Sequence, residues 1–209
     1  MSQSRLKLFE PTLAQCNVPS PGHQAGSASS GTTPPDLAAA RALSFHVPFC
    51  FHKCHYCDFY SIARPESDPD EHARFIERLT GELQFVSQFG PPRIDAVFVG
   101  GGTPTLLEPN LWRRFAWTLR QCVTLADDLE FTVEANPETV TPPLIDALVE
   151  IGVNRLSIGA QSFDERLLKT LERWHRPEKV AEAVRLARTG GIDSFNLDLI
   201  YGIPGQSIE

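Results

Sequence analysis

Three cysteines stand close together in the run Cys50-Phe-His-Lys-Cys54-His-Tyr-Cys57. Thiolates at this spacing, on a short loop, can each hold one iron of a cubane iron–sulfur cluster. The fourth iron then has no thiolate from the motif, and an open metal position can chelate a small molecule. Two other readings use the same residues. Zinc could be held by the three cysteines with His46, His52 or His55, although zinc sites usually pair two Cys-x-x-Cys-like knuckles. Buried structural cysteines could also cluster by chance, which fits poorly with so tight a spacing among only five cysteines. Cys16 and Cys122 stand apart, one beside a low-complexity stretch and the other in a helical pattern, and neither reads as a ligand.

Other residues able to do chemistry follow apolar runs. Gly100, Gly101 and Gly102 close the run AVFVGGG, and Thr103 comes next. Glycines let a ligand approach the backbone, whereas a simple tight turn needs only one or two of them. Glu134, in TVEANP, is a carboxylate at the end of an apolar stretch, suited to ribose hydroxyls or an ammonium group; its plainer reading is a surface ion pair. Gln161, in GAQSF, is either a ligand contact or a core hydrogen-bonding residue. Arg173 carries a planar fork that matches a carboxylate, or it is an exposed cation at a helix end. Asp198 interrupts the apolar run FNLDLIYG, so its carboxylate needs a ligand or a structural partner. Tyr56, between two of the cysteines, packs beside a ligand or shields the metal site. His46, His52 and His55 could hydrogen-bond to sulfur or be ordinary packing residues. Trp112, Trp117 and Trp174 read as packing residues rather than a platform for a large planar ligand. No residue stands out as a catalytic acid or base.

The elements that must position these residues follow an α/β pattern. Strand-like runs occupy 42–49, 96–102, 129–137, 154–163 and 194–205, and helical patterns occupy 70–89, 109–122, 142–152, 164–173 and 177–191. Pro109 suits a helical first turn, and Gly152 and Gly191 suit helix stops. The strands read as apolar on both faces, as in a parallel sheet covered by helices. Five strands in alternation fit either an open doubly wound sheet or a partial barrel. Each candidate site residue falls at or just beyond a strand's C-terminal end, the functional face of parallel β/α folds.

The 209-residue chain is 42% hydrophobic, enough for a core. Residues 17–36 are Ser-, Pro- and Gly-rich, which predicts a flexible tail over 1–36 and a folded core domain over 37–209. The formal charge of −7 argues against general nucleic-acid or anionic-membrane binding. The chain start lacks the apolar stretch of a secretory signal, and no run is long and apolar enough to span a membrane. An odd, clustered set of cysteines points to a reducing, cytoplasmic setting rather than a disulfide framework. At Gln206–Glu209 the next helix has barely begun, which reads as a longer protein cut short.

The cysteine run after a first strand resembles the signature of the radical S-adenosylmethionine (SAM) superfamily. Beyond it, SFHVPFCFHKCHYCDFYS, FVGGGTPTLL, TVEANPETV, NRLSIGAQSF and FNLDLIYGIPGQS resemble the oxygen-independent coproporphyrinogen III oxidase superfamily, over about 43–206. The oxidases typically carry a further cysteine two positions after the third; here that residue is Phe59, as in the haem-chaperone branch. The resemblance implies a partial (β/α)6 barrel with about five strands present. It implies a [4Fe-4S] cluster on Cys50, Cys54 and Cys57. It also implies SAM contacts from Gly101, Gly102, Thr103, Glu134, Gln161, Arg173 and Asp198, some of them to a second SAM, with Tyr56 beside the adenine. The expected partners are haem or a porphyrinogen, a haem-acceptor protein and an electron donor. The function implied is haem chaperoning, or else oxidative decarboxylation of coproporphyrinogen III through a 5'-deoxyadenosyl radical. One departure is Ser44, where the family commonly places a tyrosine that touches SAM.

Overall fold

The computed structural model describes residues 39–64, 68–88 and 92–207, all within one compact unit spanning Pro35–Glu209. The expected tail and Cys16 lie outside these residues. Five strands form a single parallel sheet: β1 (Ala42–Val47), β4 (Arg93–Gly101), β5 (Thr124–Ala135), β6 (Arg155–Gln161) and β7 (Ser194–Leu199). Two short strands, β2 (Phe49–Cys50) and β3 (Ile62–Ala63), pair with each other beside it. The helices are α1 (Pro69–Ser87), α2 (Pro109–Cys122), α3 (Pro142–Glu150), α4 (Glu165–Thr170) and α5 (Pro177–Gly190).

The spatial order β1-β4-β5-β6-β7 follows the chain without reversal. A doubly wound sheet reverses its order at a switch point; this one does not, so it is the singly wound arc of a partial barrel. Consecutive parallel strands need long crossovers, and α1, α2, α3 and α4–α5 supply them. Helix neighbours run α1–α2, α2–α3 and α3–α5, covering one face.

The sequence expectation of strands apolar on both faces holds only for β4. Side chains alternate across a strand, and Phe45, Val47, Val97, Val99, Phe131, Val133, Leu156 and Ile158 are all buried in the helix-covered core. The opposite parity carries Ser44, His46, Thr132, Glu134, Ser157, Asn196 and Asp198. The register aligns His46 with Gly100, Glu134 with Ser157, and Ser157 with Asn196. One face is therefore an apolar core and the other a polar trough, as a barrel interior that binds ligands requires.

Local chemistry sets the boundaries. Proline occupies the first turn of α1, α2, α3 and α5, where its missing N–H costs no hydrogen bond. Asp68 caps α1 by accepting from the N–H groups of Asp70 and Glu71. Strand β5 starts at Thr124 rather than Leu129, because Thr124 and Leu125 pair with Arg93 and Ile94 before a register shift between Ile94 and Ala96. Helix α4 ends at Thr170 rather than 173, because Glu172 turns into left-handed backbone (φ 54°).

Candidate metal centre

The cysteine loop leaves the sheet at the C-terminal end of β1. Its neck is pinned by the β2–β3 pair: Ile62 N–H donates to Pro48 O (2.7 Å) and Arg64 N–H to Cys50 O (2.9 Å). Gly102 N–H donates to Val47 O (2.8 Å) and Thr103 N–H to Phe49 O (2.6 Å), tying the loop base to the glycines after β4. Inside the loop, Cys57 N–H donates to Cys54 O (3.0 Å), and Lys53 Nζ donates to Phe59 O (2.8 Å). Cys50, Cys54 and Cys57 are free, half-buried thiols. Burial pushes the Cys50 thiol above its usual range, opposed by the hydrogen bond from Thr103 Oγ1.

The three thiols open on a cleft of about 620 Å³ at the C-terminal ends of the strands. Every residue expected to contact SAM lines it: Tyr56 beside the cysteines; Gly101, Gly102 and Thr103 after β4; Glu134 on β5; Gln161 on β6; Arg173 beyond α4; and Asp198 on β7. Gly100, His46 and His55 do not. Cys122 ends α2 in the core and takes no part.

Each side chain has a local environment that the sequence left open. Glu134 is not in a surface ion pair. Its Oε2 accepts from Gly101 N–H (2.9 Å), while burial, with the facing Asp198 carboxylate, raises its pKa. Asp198 accepts from Asn196 Nδ2 (2.6 Å) and Ser157 Oγ (3.2 Å). Arg173 is not an exposed helix-end cation: its Nη2 donates to Gly159 O (2.9 Å), Nη1 lies 4.0 Å from Cys54 Sγ, and its buried Nε has no partner among the described residues. Gln161 has left-handed backbone (φ 61°) at the end of β6, where its carbonyl accepts from Ile200 N–H (2.9 Å), just beyond β7. Burial pushes the Tyr56 hydroxyl up to about 12, with Arg173 opposing. Ser44, where the resemblance led to the expectation of a tyrosine, is an exposed residue on β1 and does not line the cleft.

Two residues of the cleft escaped sequence reasoning. His175 is buried, and its Nε2 lies 3.0 Å from Ala160 O. Burial, then the Arg173 charge, pulls its pKa down to about 4, so it is neutral and must donate Nε2–H to that carbonyl. Glu172 joins the cysteine loop through both its oxygens: Oε2 lies 3.1 Å from His52 Nε2 and Oε1 lies 3.2 Å from His55 Nε2. No glycine or motif marks either position in the sequence. His46 pairs its Nε2 with Tyr60 O (2.8 Å). All three histidines thus spend Nε2 on oxygen partners.

The donor set fits a cubane held at three corners. Each of the three held irons needs one thiolate from a loop that can wrap the cluster, and three thiols free of disulfides on a neck-pinned loop meet that need.

The fold and the site together define a class of protein. The family model described as the radical SAM superfamily matches residues 44–209, and the chain belongs to that superfamily. Among curated proteins, it is similar to the heme chaperone HemW of Escherichia coli (strain K12), 41% identical over 169 residues, covering 80% of this chain and 44% of the relative. It is also similar to the heme chaperone HemW of Bacillus subtilis (strain 168), 36% identical over 170 residues, covering 81% and 44%. Among solved structures, it resembles the coproporphyrinogen III oxidase HemN from Escherichia coli, a radical SAM enzyme, with a TM-score of 0.75 and 27% identity over 82% of this chain and 40% of that one. The chain spans less than half the length of these relatives. The expected partial radical SAM barrel is the fold found.

Proposed function

We propose that this chain is the cluster-bearing part of a haem-handling radical SAM protein, which binds haem and passes it to an acceptor protein. Cys50, Cys54 and Cys57 hold a [4Fe-4S] cluster, and the cleft beside them takes SAM. The observation that carries this reading is the joining in one cleft of three free thiols, six candidate contacts from four strand ends, Arg173 from beyond α4 and Tyr56 from the cysteine loop. When bound, the cluster supplies an open iron and an electron; the protein supplies orientation and electrostatics.

The residues divide that work. Gly101 and Gly102 give close backbone approach to the methionine end. In Gly102 a side chain would meet Phe49 O and Cys50 Sγ, so its bareness keeps the space beside the first ligand open. Arg173, with its unpartnered Nε, offers a fork to a carboxylate. Glu134 and Asp198 face the cleft as acceptors for ribose hydroxyls or an ammonium group. Tyr56 stays protonated and uncharged at neutral pH, covering the cysteines with an apolar ring and a hydroxyl donor.

Likeness to the HemW chaperones and Phe59 in the position of a further cysteine support chaperoning over the oxidase alternative. A reducing, cytoplasmic compartment suits the free thiols. Among the described residues, no helix is long and apolar enough to cross a membrane.

The test is anaerobic reconstitution with iron and sulfide, electron paramagnetic resonance with and without SAM, and haem titration. A SAM-perturbed cluster spectrum and haem binding without conversion of coproporphyrinogen III are expected. A colourless protein with stoichiometric zinc would end the cluster assignment, and formation of protoporphyrinogen IX would replace the chaperone by the oxidase.

A further inference from the structure

Three helices end in the same hydrogen-bonded stop. After α3, Gly152 N–H donates to Val149 O (3.0 Å) and Val153 N–H to Leu148 O (2.9 Å). After α5, Gly191 N–H donates to Arg188 O (3.0 Å) and Ile192 N–H to Ala187 O (2.9 Å). After α4, Glu172 N–H donates to Lys169 O (3.0 Å) and Arg173 N–H to Leu168 O (2.9 Å). This Schellman stop puts the first donor of each pair in left-handed backbone, a place that favours glycine. Two of the three are glycines, Gly152 (φ 90°) and Gly191 (φ 106°); the third is Glu172 (φ 54°). Strained non-glycine backbone persists where the surroundings demand that side chain.

The surroundings here are the cysteine loop. The Glu172 carboxylate sits between His52 Nε2 (3.1 Å) and His55 Nε2 (3.2 Å), one oxygen to each. Its carbonyl oxygen lies 3.9 Å from Cys54 Sγ, whose thiol donates to it. His52 also stacks on Trp174, with ring centroids 5.2 Å apart and planes at 23°. One residue thus grips the loop on both sides of Cys54. Glycine would end α4 with less strain and could not do this.

We propose that Glu172 is the positioning residue of the cysteine loop, a carboxylate clamp that holds His52 and His55 and so fixes Cys54 between them. The proposal rests on the proposed function only in taking Cys54 as a ligand. The same stop swings Arg173 into the cleft, so one turn sets both the loop and the fork.

The test compares Glu172→Gly and Glu172→Gln with the unaltered full chain. In the metal-free reduced protein, alkylation of Cys54 by iodoacetamide is followed by mass spectrometry, with buried Cys122 as the internal reference. Glu172→Gly is expected to unfold at the same or a higher temperature, yet to expose Cys54 roughly fivefold to tenfold faster, the size that one half-buried charge-assisted hydrogen bond to His52 and a more exposed ion-pair contact to His55 allow. Glu172→Gln keeps one acceptor and is expected to fall between. After reconstitution, Glu172→Gly should lose iron to a chelator faster by a similar factor. Cys54 alkylation at the unaltered rate would overturn the clamp, as would Cys54 and Cys122 rising together with a lowered unfolding temperature. Failure of the unaltered chain to assemble any cluster would instead strike the cysteine reading, since the alkylation comparison needs no metal.

Discussion

Gly102→Ala should leave the fold standing and prevent cluster assembly. A Cβ at Gly102 would lie 2.5 Å from Phe49 O, and 3.0 Å from both Phe49 C and Cys50 Sγ. Ordinary van der Waals contact begins at 3.4 Å, and a backbone carbonyl cannot swing aside as a flexible side chain can. The relief open to the molecule is to push residues 49–50 off residues 102–103. That stretches the Thr103 N–H to Phe49 O bond of 2.6 Å and carries Cys50 Sγ away from the other thiols. Overpacking of this kind costs about 1–3 kcal/mol, and a lost hydrogen bond adds about 1 kcal/mol. Against a typical domain stability of about 5–15 kcal/mol, the chain still folds. Gly190→Ala is the matched control: its Cβ runs into the Ile145 side chain, far from the cleft, so it should lower the unfolding temperature yet keep its metal. The assay is iron and sulfide per chain after anaerobic reconstitution, with a thermal melt of the metal-free protein. A Gly102→Ala protein with full iron content and an unshifted melt would refute the steric argument.

Acid stability should report on His175. Its folded pKa of about 4 lies below the unfolded value of 6.5, so between those pH values the unfolded chain takes up a proton that the fold refuses. That contribution is complete above pH 6.5 and is lost as pH falls toward 4, by at most about 3 kcal/mol. His175→Gln should flatten the denaturation midpoint over that window relative to the unaltered chain; parallel pH curves would count against it. Arg173→Lys removes the planar fork but keeps the charge, and SAM affinity should fall roughly tenfold to a hundredfold, as loss of a hydrogen bond to a charged group implies. Equilibrium dialysis reads this directly, and unchanged affinity would dismiss the fork. Gly81→Ala, in the middle of α1 with open space around its would-be Cβ, should stabilise the protein by about 0.5–1 kcal/mol, read as a raised melting temperature; a lowered one would mean that position is not solvent-facing.

How much of this was legible beforehand differs by element. Helix α2 could be placed over 109–122 because proline at its start and an apolar stripe along it are both local signals. Strand β5 could not be started at Thr124, since Thr124, Asp127 and Asp128 look like a turn, and the strand begins there only because Thr124 and Leu125 pair with β4. Short strands β2 and β3 were missed for the same reason: two-residue pairing depends wholly on the partner.

The sequence alone determined the kind of chemistry. Cysteine spacing, the glycine run and single polar residues in apolar strands are properties of residue type and neighbour distance, and they need no fold to be read. Sheet order, the polar trough and the partners of each side chain were decided only in three dimensions, because they join residues far apart in the chain. Glu134 meets Gly101 across 33 positions and Glu172 meets His52 across 120. Hydrogen bonds act over about 3 Å of space regardless of the chain length between partners, so only the closed fold could say which acid clamps the loop and which faces the ligand.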